Sequence, residues 1–143
     1  MKTTHIFSLV FASLFPLAHG APFGYAITDT GLVGTIDINS GAFHSLGYVP
    51  VVCPPEAFGG GIAFGPGGAI EVYDLATQNL YRFNPNTAAV TLVGNTGKDY
   101  SVIAGLGDGG IFGVDLIGNL YRINATTAVS SLVAHLFDFS PDG

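Results

Sequence analysis

The chain has 143 residues, of which 48% are hydrophobic, 10% charged and 21 glycine. That is enough apolar mass for one small packed domain; it is too apolar for a disordered tail and lacks the Gly-X-Y period of collagen. Four Lys and Arg against ten Asp and Glu give a net charge of −6, which argues against nucleic acid or a membrane surface as a partner, because binding phosphate draws on clustered cations.

The first segment reads as an address. Lys2 supplies a positive start, Ile6 to Leu17 is an apolar run, and Ala18-His19-Gly20 sets small residues before a cut at Ala21, the pattern of a secretory leader. The run is shorter than the roughly 20 apolar residues needed to span a bilayer. Residues 1–20 are therefore expected to be a signal peptide, and the product to be secreted and extracellular. Asn124-Ala125-Thr126 is a sequon, which makes Asn124 the candidate glycosylation site. Cys53 is the only cysteine, so no bridge can form within the chain. With no cation near it in sequence, it reads as a small buried hydrophobe rather than a nucleophile.

Beyond the leader, the elements in chain order are short and β-rich. Phe23 to Asp29 and Gly34 to Phe43 come first, the latter containing the turn Asp37-Ile38-Asn39-Ser40-Gly41. Four strands follow, Gly61–Phe64, Ile70–Tyr73, Leu80–Phe83 and Val90–Val93, separated by Gly-Pro-Gly-Gly, Asp-Leu-Ala-Thr-Gln-Asn and Asn-Pro-Asn-Thr. These runs combine β-branched and aromatic residues with Asn, Asp, Gly and Pro punctuation, which reads as strands and hairpins. Val102–Leu106, Ile111–Leu116 and Leu120–Ile123 repeat the series, and Phe137–Gly143 resembles Ile62–Gly68, the opening of another unit. No stretch of the mature chain shows apolar residues at helical spacing with a cap, so helical repeats are excluded.

The repetition is explicit. Leu80-Tyr81-Arg82-Phe83-Asn84-Pro85-Asn86-Thr87-Ala88 returns as Leu120-Tyr121-Arg122-Ile123-Asn124-Ala125-Thr126-Thr127-Ala128, and a weaker copy lies at Gly34 to Phe43. Four strands in a period of about 40 residues is the blade of a β-propeller. The pattern resembles the broad superfamily of propeller repeats built on Leu-Tyr-x-(Ile/Phe)-(Asn/Asp), found in secreted proteins and in lactonase-like and pyrroloquinoline-quinone-type repeat proteins. The tryptophan that often marks quinone-type blades is absent. The expected fold is all-β and propeller-like, with about three four-stranded antiparallel blades at residues 23–50, 59–97 and 101–136 of a repeat domain 21–143, and the start of a further strand at 137–143. The resemblance specifies the blade and not the activity, because such propellers host hydrolases, lyases, lectins and scaffolds.

Closed propellers usually have about four to eight blades, and an open stack leaves strand edges free to pair. Without its leader the first blade lacks an innermost strand, and residues 137–143 resemble one. Two accounts stay open: a head-to-tail homodimer that exchanges these strands, or a truncated propeller.

Chemical motifs are sparse. Gly105-Leu106-Gly107-Asp108-Gly109-Gly110 matches a dinucleotide fingerprint, but a strand rather than a helix follows it, so it reads as a Gly-rich turn. Asp29, Asp74 and Asp115 are read as ending the second strand of each unit. They are the candidate metal ligands, with Ca²⁺ as the cofactor they would suit; the alternative is that each bonds its own turn. Asp37 begins like a calcium loop but lacks the closing Glu. His44 and His135 read as surface residues, and Arg82 and Arg122 as one architectural position repeated. No zinc or serine-hydrolase motif is present, so no catalytic residue is assigned. Two functions remain: a non-catalytic binder of an unknown ligand or protein through its loop face, or a metal-assisted hydrolase or cyclase of the lactonase-like kind. The innermost strands carry no acids, which favours binding.

Overall fold

In the computed structural model the chain forms three antiparallel four-stranded sheets. The described residues are 23–51, 60–106 and 109–136, with the backbone alone of 6–11. Blade I comprises β1 (Ile6–Phe11), β2 (Phe23–Thr28), β3 (Leu32–Asp37) and β4 (Phe43–Tyr48). Blade II comprises β5 (Gly60–Phe64), β6 (Ile70–Asp74), β7 (Asn79–Phe83) and β8 (Val90–Asn95). Blade III comprises β9 (Tyr100–Gly105), β10 (Ile111–Asp115), β11 (Asn119–Ile123) and β12 (Ser130–His135).

Each blade is a meander in which sequence neighbours pair, so tight turns suffice as connections. The β3–β4, β7–β8 and β11–β12 turns share one scheme. Asp37, Asn84 and Asn124 each accept two backbone N–H groups through Oδ1, those of residues two and three further on. The N–H of Gly41, Ala88 and Ala128 then bonds back to the carbonyl of Asp37, Asn84 and Asn124. These three residues take left-handed backbone, with φ of 71°, 57° and 60°. The Asx side chain is what makes that conformation affordable for alanine.

The core lies between blades. Ile27 and Val33 of blade I, with Val49 just beyond β4, meet Ile62, Ile70, Val72, Tyr81 and Phe83 of blade II. Ala63, Tyr73 and Leu80 of blade II meet Tyr100, Ile103, Ile111, Tyr121 and Ile123 of blade III. Period-two alternation gives a central blade two inward faces, which is why β6 is buried along its whole length. Tyr81 and Tyr121 are equivalent, each on the third strand and 9% and 8% exposed at the face toward the preceding blade. Strand β5 runs beside both β1 and β9. The approach is so close that a Cβ on Gly105 would lie 2.1 Å from the Phe64 carbonyl oxygen.

The fold is thus all-β and propeller-like, as the repeat implies, with strand boundaries within two residues of those read from the pattern. In the full chain Ile6–Phe11, inside the segment read as a leader, pairs with β2 and fills the inner place of blade I. The further strand expected at 137–143 and Cys53 lie outside the described residues.

Candidate functional site

One end of the blades carries the β2–β3, β6–β7 and β10–β11 turns, together with the connection from β8 to β9. Asp74 and Asp115 anchor it. Asp74 accepts the Ala76 N–H at 3.2 Å and the Thr77 hydroxyl at 2.6 Å. Asp115 accepts the Ile117 and Asn119 N–H groups at 3.1 and 2.9 Å and the Asn119 carboxamide at 3.0 Å. Partial desolvation pushes the Asp115 carboxyl up, but the bonds from Asn119 and Ile117 outweigh it and hold it below its ordinary value.

Blade I departs from the expected equivalence. Thr28, not Asp29, ends β2 and takes the place of Asp74 and Asp115: its hydroxyl accepts the Leu32 N–H, and its carbonyl the Gly31 N–H. Asp29 lies one residue further, in the turn, with Oδ1 buried and unpartnered. The turn has three residues, as in blade III, so the shift lies in where the strand ends and not in the turn's length. Among the described residues, no three His, Cys, Asp or Glu side chains come together as a metal site.

Carboxamides dominate this end in blades II and III. The Asn95 carboxamide donates to the Thr77 carbonyl at 2.6 Å and to Asn79 Oδ1 at 3.1 Å, and Gln78 donates to Asp99 at 2.7 Å. The cross-strand pair equivalent to Asn79 and Asn95 is Asn119 and His135, in contact at 2.8 Å through Oδ1 and Nδ1, and in blade I it is Leu32 and Tyr48. Tyr48 is 55% exposed. The face therefore grades from hydrogen-bonding groups to an aromatic one. His44 lies exposed on the outer strand β4, and His135 is exposed at the end of β12.

A group that pattern reasoning missed lies between blades II and III. Glu71 is fully buried and takes the Arg82 Nε at 2.7 Å, while its Oε2 has no partner. Burial pushes the Glu71 carboxyl up, and Arg82 offsets this only in part. Arg82 also donates through Nη2 to the Ala125 carbonyl in the blade III turn, so this arginine ties two blades together. The available signal was a charged pair on strands that oppose each other, since Glu71 and Arg82 are register partners. Arg122 holds the same place in blade III opposite Phe112. It is exposed and borders an open cleft of about 290 Å³ with Gly109, Gly110, Asn124 and Ser131. The turn entering β10 closes through the Leu106 and Gly109 N–H groups and leads into a strand, as the rejection of a dinucleotide loop requires; Gly107 and Asp108 lie outside the described residues. Asn124 is exposed.

No family model and no curated protein sequence matches the chain. Solved structures do. A structural-genomics protein of unknown function from Bacteroides thetaiotaomicron is similar at 19% identity with a TM-score of 0.60, over 77% of this chain and 30% of that one. Hydrazine synthase from Kuenenia stuttgartiensis is similar at 14% identity with a TM-score of 0.62, over 94% and 36%. The chain spans about a third of the length of each. At such identities the likeness shows a shared fold, and function has to be argued from the site.

Proposed function

We propose that this is a secreted, non-catalytic propeller-type protein that engages a neutral, hydrogen-bonding ligand or partner through the loop face at Asn79, Asn95, Asn119 and Tyr48. The observation that carries the reading is the engagement of the strand-end carboxylates: the oxygens of Asp74 and Asp115 are taken up by their own turns, while the exposed Asn95 and Tyr48 and the half-exposed Asn79 and Asn119 border the same end. Uncharged donors and acceptors beside an aromatic ring suit a ligand whose own groups are dipolar. The leader-like residues 1–20 support export, and the exposed Asn124 in its sequon supports a glycan.

A second reading, a metal-assisted lactonase-like hydrolase, has one observation in its favour: the buried and unpartnered Oδ1 of Asp29. Expression in a eukaryotic secretory host with metal analysis separates the two. The binding reading expects protein in the medium, beginning at Ala21, trimmed by a glycosidase and free of stoichiometric divalent ion after dialysis. Retained Ca²⁺ or Zn²⁺ at one per chain, lost in Asp29→Asn, would overturn it in favour of the hydrolase.

A further inference from the structure

We propose that the open face of blade III is an assembly surface whose occupant is blade I of a second copy of this chain, so that two chains close head to tail into one six-bladed ring. The inference goes beyond the loop-face reading and does not depend on it.

Both internal junctions use one device. Opposite Val33, strand β4 has Gly47, and opposite Leu80, strand β8 has Gly94. Each glycine receives the left-handed alanine of the next blade's turn. A Cβ on Gly47 would sit 3.2 Å from the Ala88 Cβ, and one on Gly94 would sit 3.2 Å from the Ala128 Cβ. A junction therefore holds one methyl group at this point, supplied by the turn. On the open face of blade III the receiving residue, opposite Leu120, is Ala134. The one turn of this series that carries no methyl is that of blade I, where the equivalent residue is Gly41. Joining blade III to blade I of another copy restores one methyl with donor and receiver exchanged, whereas a turn bearing alanine would place two methyls in that space. Interiors are packed too tightly for such an addition to pass unfelt.

The polar contact repeats as well. Arg82 crosses from blade II to the carbonyl of Ala125, the residue that follows the Asx anchor of the next turn. Arg122 occupies the same register position on the open face, and the residue following the anchor in blade I is Ile38. Its carbonyl is the acceptor that Arg122 would reach. The apolar surroundings match: Val102, Leu116 and Val133 are 53%, 73% and 53% exposed on blade III. Of their counterparts in blade II, Leu75 and Val93 pack against the next core and Gly61 lies against Ile103. Two such junctions related by a two-fold axis form a closed assembly rather than an open fibre.

Sedimentation equilibrium of the purified full chain and four variants tests this. The wild type is expected to be a dimer. Gly41→Ala folds, because Ala88 and Ala128 already hold this backbone conformation, but it adds the second methyl and raises the dimer dissociation constant at least about tenfold. Ala134→Gly in the Gly41→Ala background restores it, while Ala134→Gly alone changes it little. Arg122→Ala also raises it about tenfold. A wild type that remains monomeric at every concentration overturns the proposal, as does a dimer indifferent to Gly41→Ala or one that the second substitution fails to rescue. Thermal melts of each variant show whether the monomer itself has been damaged.

Discussion

Replacing Arg82 by alanine separates the stabilising role of the inter-blade pair from simple packing, because its effect depends on the charge of Glu71. Glu71 is fully buried, and its Oε2 already lacks a partner. Without Arg82, Oε1 is orphaned too, and an ionised carboxylate remains between two blades. Breaking a buried pair in this way costs about 3–5 kcal/mol; the Arg82 side chain is 34% exposed, so water screens part of the loss and about 3 kcal/mol is expected near neutral pH. The carboxyl can escape by binding a proton. Its folded-state pKa already lies above the ordinary 4.5, so ionisation opposes folding as pH rises through that higher value. Removing Arg82 takes away what held the pKa down and raises it further. At about pH 3 the carboxyl is neutral in both folded and unfolded chains, and the cost shrinks to the lost carbonyl bond and side-chain packing, about 1 kcal/mol. Urea titrations of wild type and Arg82→Ala at the two pH values measure the difference, and Asp37 and Asp115, common to both proteins, cancel. An equal cost at both pH values, or no cost at neutral pH, would refute the role assigned to this pair. Glu71→Gln is expected to abolish the pH dependence of the Arg82→Ala effect.

Three further outcomes follow from the same geometry. Burial pushes the Tyr73 phenol up to about 12, and that of Tyr100 moves in the same direction; ultraviolet titration should show tyrosines ionising late, with stability draining as pH rises from 10 toward 12, and complete titration of all tyrosines near 10 in folded protein would contradict it. Asp37 is half-exposed, with its carboxyl held below 3.8 by the bonds from Ser40 and Asn39; its contribution is present above that value and fades as acid is added, so Asp37→Asn, which copies the other two turns, should flatten the acid limb of stability while leaving the fold intact. Gly94→Val puts side-chain atoms against the Thr127 carbonyl and the Ala128 methyl and should destabilise by about 1–3 kcal/mol in chemical denaturation; an unchanged midpoint would show that the blades do not meet there.

The blade was legible because its signals are local. Strand alternation, the Asx turns and the returning Leu-Tyr-Arg segment depend on residues a few positions apart, and Asp37, Asn84 and Asn124 make the bonds their side chains suggest. What escaped was whatever depends on register or on faces brought together. Alignment by residue type chose Asp29 where the strand in fact ends at Thr28, since Thr and Asp can cap the same turn and the sequence alone does not mark where the strand ends. Glu71 looked like an ordinary strand residue because the sequence does not show that it is buried beside Arg82 and Gly65, and Arg82 could be recognised as repeated but not as reaching Ala125. The apolar run at Ile6–Phe11 fits a leader and an inner strand equally well, for both call on the same residues.

The most direct test of the account is an NMR search for nuclear Overhauser contacts between blades in isotopically labelled protein. Three equivalent blades packed side by side require cross-peaks from the Tyr73 ring to the Tyr100 ring, whose centroids lie 5.3 Å apart, and from Gly61 to the Ile103 side chain, alongside extended-strand chemical shifts across all three repeats. Helical shifts over Leu80–Phe83 and Leu120–Ile123, or strand pairing without any of these inter-blade contacts, would contradict it.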